Sequence, residues 1–201
     1  MNLVSYIIAT TPDLPPITAQ LYEYIFAANG VFIRGKRSGI EVMCPIGECE
    51  IRGLAEIEAY LRWEGKQIPF YFLNQMLLDA QSTRNEVLWY LWQETDWIIS
   101  KPEQLASPHS VTPVYHSLVN TDYEKAMVEV HSHGDMRPFF SQQDDADEQG
   151  FRFYAVLGCV RSRPAISIRI GLAGYFCPIP AYMIFADFDS DLIEDTYERS
   201  Y

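Results

Sequence analysis

Residues 126–144 read Ala126-Met-Val-Glu-Val-His131-Ser-His133-Gly-Asp-Met-Arg-Pro-Phe-Phe-Ser141-Gln-Gln-Asp144. The first part has the branched, apolar character and the length of a strand that ends in the histidines. Side chains alternate across a strand, so two histidines at i and i+2 share one face and lie close enough to hold one metal ion. The polar run Ser141 to Gln149 opens a helix with Ser141 at its N-cap, which puts Asp144 in the first turn. A loop between these elements can bring that turn back to the histidines. Two imidazoles and one carboxylate leave a fourth position for water. Catalytic zinc needs that opening, whereas structural zinc is closed by four protein ligands. Iron or manganese would accept the same donors.

Zinc lowers the pKa of its bound water to about 7, which makes a nucleophile at neutral pH. Hydrolysis then asks for a carboxylate base near that water and for a donor to the tetrahedral oxyanion. A hydroxyl such as that of Ser141 suits the second task.

Outward from this stretch, Phe151 to Leu157 reads as a buried strand. Ile166, Ile168, Ile170 and Leu172 alternate with Ser167, Arg169 and Gly171, which predicts a strand with one buried face. Upstream, Glu86-Val-Leu-Trp-Tyr-Leu-Trp92 is a strand, extended beyond a turn by Trp97 to Ile99. Phe70, Leu73, Leu77 and Ala80 recur at helical spacing, with Pro69 suited to the first turn and an end near Ser82. Residues 100–122, with Pro102, Pro108 and Pro113, read as loop, and His109 and His116 as surface residues within it. In the first third, Ile17 to Ala28 has helical spacing through Leu21, Tyr24, Ile25 and Ala28, and Asn29-Gly30 marks a turn. Val31 to Arg34 and Ile40 to Met43 are short strands around the basic turn of Arg34, Lys36 and Arg37. Glu50 to Tyr60 is open to either assignment. Helices and strands are mixed, so the fold class is α+β or an α/β three-layer sandwich.

The composition agrees with a folded chain: 48% hydrophobic and 14% aromatic residues exclude disorder. A formal charge of -12 repels phosphates and sets nucleic acid aside as a partner. Six acids fall within Asp187 to Tyr201, which reads as a solvated tail or a docking strip for a basic partner. No apolar run approaches the ~20 residues of a membrane span. Met1-Asn2-Leu3 opens without a basic n-region, so a cytoplasmic location is expected. Cys44, Cys49, Cys159 and Cys177 form no C-x-x-C pair and read as ordinary thiols.

The pattern His131-x-His133, seven further residues, then Ser141-x-x-Asp144 resembles the signature of the JAMM (MPN+) zinc metalloproteases. The likeness covers roughly residues 67–185. It implies a JAMM/MPN cytidine-deaminase-like sandwich over 67–185, a small N-terminal α+β module over 1–66 and an acidic tail over 186–201. It also implies His131, His133 and Asp144 as ligands of Zn2+, and cleavage of peptide or isopeptide bonds after ubiquitin and ubiquitin-like modifiers. The family's general base is a Glu at the start of the strand after the first helix, a place that Glu86 matches. Glu129, on the strand face of His131, is the rival base and Glu94 a weaker one. Leu88 and Trp89 stand where the family usually has Gly, and Gly134 where it usually has Pro.

A closer likeness is to the bacterial branch called PRTRC system protein A. It rests on Phe139-Phe140-Ser141 to Asp144-Asp145, on Gly150 to Gly158, and on Asn29 to Phe32 with Cys49 to Leu54. Such proteins sit in cassettes with a ThiF-like activating enzyme. Related cassettes add a conjugating enzyme and a ubiquitin-like protein, and some act against phage. The likeness implies a peptidase that removes or matures a bacterial ubiquitin-like modifier, zinc-bound water attacking the scissile carbonyl with Glu86 as general base. A groove would take the modifier's tail as an added strand, between the Trp89–Trp97 region and the 100–122 loop. Two alternatives remain: a hydrolase trimming the C-terminus of a sulfur-carrier protein, and a non-catalytic MPN scaffold.

Overall fold

In the computed structural model, which describes residues 2–37, 39–114 and 121–197, the chain divides into two compact units. The first comprises Met1–Lys66 with Gln149–Phe151 and Gly171–Cys177. It is built of five strands: β1 (Val4–Ile8), β2 (Tyr22–Ala27), β3 (Gly30–Arg37), β4 (Ile40–Gly47) and β5 (Tyr60–Trp63), in spatial order β1-β2-β3-β4-β5. β1 and β2 are parallel and the later pairs antiparallel. Ala9, Ile25, Ala27, Phe32, Met43 and Ile57 form its core.

The helix expected over Ile17 to Ala28 is replaced by β2, and the described residues of this unit contain no helix. The physical reason is visible in the burial. Half-buried and buried side chains alternate from Tyr22 to Ala27, a period of two. Tyr22, Tyr24, Ile25 and Phe26 also favour a pleated surface over a helix. The alternation hides an acid: Glu23 is fully buried and accepts from Arg34 Nε at 2.7 Å, from Arg34 Nη2 at 2.6 Å and from Thr18 N at 2.9 Å.

The second unit comprises Gln67–Glu148, Arg152–Ile170 and Pro178–Tyr201. β6 (Ile68–Pro69) leads into α1 (Phe70–Gln81), which buries Phe72, Leu73, Met76, Leu77 and Ala80. β7 (Leu88–Gln93) and β8 (Trp97–Ser100) follow, then a hairpin of β9 (Gln104–Ser107) and β10 (Ser110–Pro113). The expected loop over 100–122 therefore holds a hairpin, and α2 (Thr121–Lys125) begins at its end. β11 (Val128–Ser132), α3 (Gln142–Asp147), β12 (Arg152–Gly158) and β13 (Ala165–Leu172) complete the centre of the unit. After β14 (Tyr175–Pro178) come β15 (Phe185–Ala186) and β16 (Glu194–Asp195).

The strand order is β13-β12-β11-β7-β8, with β16 paired to β13. β11 runs parallel to β12 and antiparallel to β7, so it lies centrally, and the register sets His131 opposite Leu88 on one side and Val156 on the other. The mixture of a few helices with many strands places the described residues in the α+β class.

Two further expectations change in this unit. β13 is buried on nearly every residue, including Arg169, where one buried face was predicted. The acidic segment after Asp187 is not simply solvated: Ile193 is fully buried, and Glu194–Asp195 pairs with Ala165–Ile166. Asp195 Oδ2 accepts from Ala181 N at 2.7 Å. Among the described residues no helix is long and apolar enough to cross a membrane.

Candidate metal centre

β11 delivers His131 near its end, and His133 follows one residue beyond. Ser132, between them, points to the other face. It is fully buried, donates its N–H to Val87 O at 2.9 Å and accepts from Val87 N through Oγ at 3.0 Å. This pair of bonds ties the segment carrying Glu86 to the strand carrying the histidines. The sequence singled out both histidines and passed over the residue that sets their register against Glu86.

After His133 the chain turns sharply. Gly134 has φ +54°, a left-handed conformation that proline, fixed near -65°, cannot adopt. The presence of Gly where the related signature has Pro thus matches a different local turn. Val160 N bonds Gly134 O at 3.0 Å and Cys159 N bonds Met136 O at 2.7 Å, which pins the loop to the end of β12. Gly158 permits the approach: a Cβ there would lie 2.4 Å from Pro138 N.

The loop ends at α3. Ser141 caps it, its Oγ accepting from Asp144 N at 3.2 Å while Asp144 Oδ2 accepts from Ser141 N at 2.6 Å. This reciprocal pair is a capping box. It holds one carboxylate oxygen of Asp144 and leaves the other facing the histidines.

His131 Nε2 lies 3.1 Å from His133 Nε2 and 3.5 Å from Asp144 Oδ1. One ligand atom from each of the three residues falls within 4.8 Å of the others. Bond lengths of about 2.0–2.2 Å in a tetrahedron place two ligand atoms roughly 3.3–3.6 Å apart, close to the 3.1 and 3.5 Å that separate His131 from His133 and Asp144, so the donor set suits a zinc-sized cation. Burial pushes the His131 imidazole down to about 4, with Asp144 opposing the shift. Burial also holds His133 below its ordinary value. Burial thus favours the neutral form of both rings, the form that offers a lone pair to a metal.

The trio opens into a cavity of about 610 Å³. Its floor is made by alternate residues of two paired strands, Leu88 and Tyr90 on β7, Glu129 and His131 on β11, and α3 and the β10 side form its walls. Leu88 and Tyr90 take the place expected for the Trp89–Trp97 region; Trp89 is buried, its Nε1 donating to Asp79 at 3.2 Å.

Glu86 and Ser141 both line this cavity. Glu86 precedes β7 instead of starting it, and its N–H is held by Ser107 O at 2.8 Å. Glu86 is 5% exposed, and its carboxylate makes no hydrogen bond or ion pair among the described residues. Burial and, secondarily, the charge of Asp144 push it up to about 7.

Glu129 lines the cavity too and is pushed up to about 7 by burial, with Arg152, 3.6 Å away, opposing. Glu148 is pushed up to about 8 by burial, again with an arginine, Arg169, opposing. Glu94 lies outside the cavity, half exposed, 3.5 Å from Lys125. His109 is exposed at the cavity mouth; His116 falls outside the described residues. Phe139 packs edge-on to His133 with ring centroids 4.9 Å apart.

The family model described as prokaryotic homologs of the JAB domain matches residues 66–170. That span contains Glu86, His131, His133, Ser141 and Asp144. No curated protein matches the chain.

Proposed function

This chain belongs to the prokaryotic JAB-domain family, and from that premise we propose that it is a zinc-dependent peptidase or isopeptidase acting on a ubiquitin-like modifier. The observation that carries this reading is the meeting of His131, His133 and Asp144 with an unpartnered, buried Glu86 in one cavity. His131, His133 and Asp144 would hold the ion. When bound, zinc would supply an acidified water and polarise the scissile carbonyl.

The remaining steps belong to the chain's own groups. Glu86 accepts the proton of the attacking water and passes it to the departing amine. Burial pushes its carboxyl up to about 7 in the metal-free chain and a bound cation would lower it, which leaves a carboxylate at neutral pH that can take up a proton and give it back. Ser141 Oγ already accepts from Asp144 N, so its proton is free to be donated to the oxyanion. The backbone of Ser110–Pro113, at one wall, offers an extended tail a strand to lie against. The substrate would be the ubiquitin-like protein or its conjugates, with the activating and conjugating enzymes of the same system as further partners.

The test begins with metal content by mass spectrometry, on wild type and on His131→Ala/His133→Ala. About one zinc per wild-type chain, lost in the variant, supports the centre. Cleavage of a ubiquitin-like fusion by wild type and not by zinc-loaded Glu86→Gln then supports the reaction. A folded wild type that takes up no supplied zinc would sink the reading and favour a scaffold.

A further inference from the structure

α3 delivers the third ligand, yet little in the helix itself explains why it stays in place. It has six residues, none of them buried. A helix so short is not stable on its own, and without an apolar face it gains nothing from the core. The capping box orders its first turn but does not anchor that turn to the sheet.

The anchor comes from Arg169. This residue lies on β13 between Ile168 and Ile170, and its side chain is 7% exposed. β13 is separated from β11 by β12, so the tie is long-range. Arg169 Nε and Nη2 both donate to Glu148 Oε2, at 2.9 and 2.6 Å, and Nη1 donates to Asp145 Oδ1 at 2.5 Å. The guanidinium also stacks on Phe140, its Cζ 3.8 Å from the ring centre. Phe140, Asp145 and Glu148 bracket Asp144 on both sides. One planar fork therefore fixes the residue before the N-cap, the residue after the ligand and the C-cap residue.

We infer that Arg169 is a positioning residue for the metal centre, holding α3 so that Asp144 faces His131 and His133. The inference rests on the metal reading proposed above. Removing the clamp leaves three ligand side chains in the chain but lets the third drift. Loss of an outer partner of this kind typically weakens metal binding by about 10–100-fold.

A single substitution of Arg169 would leave buried Glu148 without its donors, so the double variant Arg169→Met/Glu148→Gln is the main test. It removes both partners of the clamp at nearly constant volume. Zinc affinity is read by competition with a chromophoric chelator, and ligand geometry by the visible spectrum of the cobalt-substituted protein. The expected result is a native circular dichroism spectrum, zinc binding about 10-fold weaker or more, and a changed cobalt spectrum. A merely structural role would lower the melting temperature and leave both metal readouts alone.

Arg169→Lys keeps a buried cation but cannot reach both acids. It is expected to weaken zinc binding less than the double variant does, and it decides the matter if the double variant does not fold. Folded variants with wild-type affinity and spectrum would overturn the inference while leaving the metal reading intact. A wild type that takes up no metal would overturn both.

Discussion

Glu86 combines near-complete burial with the absence of a partner, and that combination makes predictions at the scale of one side chain. Its carboxyl is held up to about 7 against an ordinary 4.5. The folded chain therefore keeps a proton that the unfolded chain has released over that interval. The stability of the metal-free protein should fall as pH rises through it. Glu86→Gln removes the cost: at pH 8 the metal-free variant should melt a few degrees above wild type, and below pH 4 the two should converge. Melting at or below wild type at pH 8 would contradict this account. The proposed catalysis runs in the opposite sense, because only the ionised carboxylate is a base. The acid limb of the rate profile should fall away below a pKa no higher than about 7, since a nearby cation can only lower it. Zinc-loaded Glu86→Gln should lose about 10²–10⁴-fold in rate and keep its metal.

At the scale of elements, the centre depends on how β11, the loop after it and α3 are joined. Ser141→Ala removes the N-cap of α3 and should cost about 1 kcal/mol in urea unfolding, together with weaker zinc binding. If zinc affinity is unchanged while turnover drops, Ser141 serves the oxyanion and not the ligand. Gly158→Ala places a Cβ 2.4 Å from Pro138 N and 2.5 Å from Met136 O, atoms of the loop between His133 and Ser141. Backbone cannot yield as a side-chain tip does. The substitution should therefore cost about 1–3 kcal/mol and weaken zinc binding. A fully zinc-competent Gly158→Ala protein would show that the loop has slack.

If zinc fills the proposed centre, the whole molecule should respond to it by mass action. Zinc at a thousandfold excess over its dissociation constant adds about 4 kcal/mol to the bound form. For a chain of this size each kcal/mol shifts melting by about 2–4 °C. Chelation should therefore lower the melting temperature of the zinc-loaded protein by roughly 8–16 °C, as read by calorimetry. His131→Ala/His133→Ala should show no such response. The buried Arg34–Glu23 pair of the first unit sits apart in this respect. Arg34→Ala strands a buried carboxylate and should cost about 3–5 kcal/mol.

The local arguments that succeeded were those in which spacing dictates geometry. The i, i+2 spacing put His131 and His133 together at the end of a strand, and Ser141-x-x-Asp144 closed a capping box because a hydroxyl at the N-cap and an acid three residues on lie within reach of each other's backbone N–H. α1 and the strands at Phe151–Leu157 and Glu86–Trp92 declared themselves by period and composition. Where local signals were balanced, the tertiary structure decided. Ile17 to Ala28 carried a helical spacing that burial of Glu23 against Arg34 resolved into a strand. Arg169 looked like the solvent face of an alternating strand, and only the position of α3 gives its charge a buried partner. The acidic segment after Asp187 reads as a solvated tail until Ala165–Ile166 offers it an edge to pair with. Sequence alone determined which side chains could meet at the candidate centre and the elements that carry them, because those follow from covalent spacing. The carboxylates that the cavity gathers, the orientation of Asp144 and the burial that tunes Glu86 arise from residues far apart in the chain, and only packing brings these together.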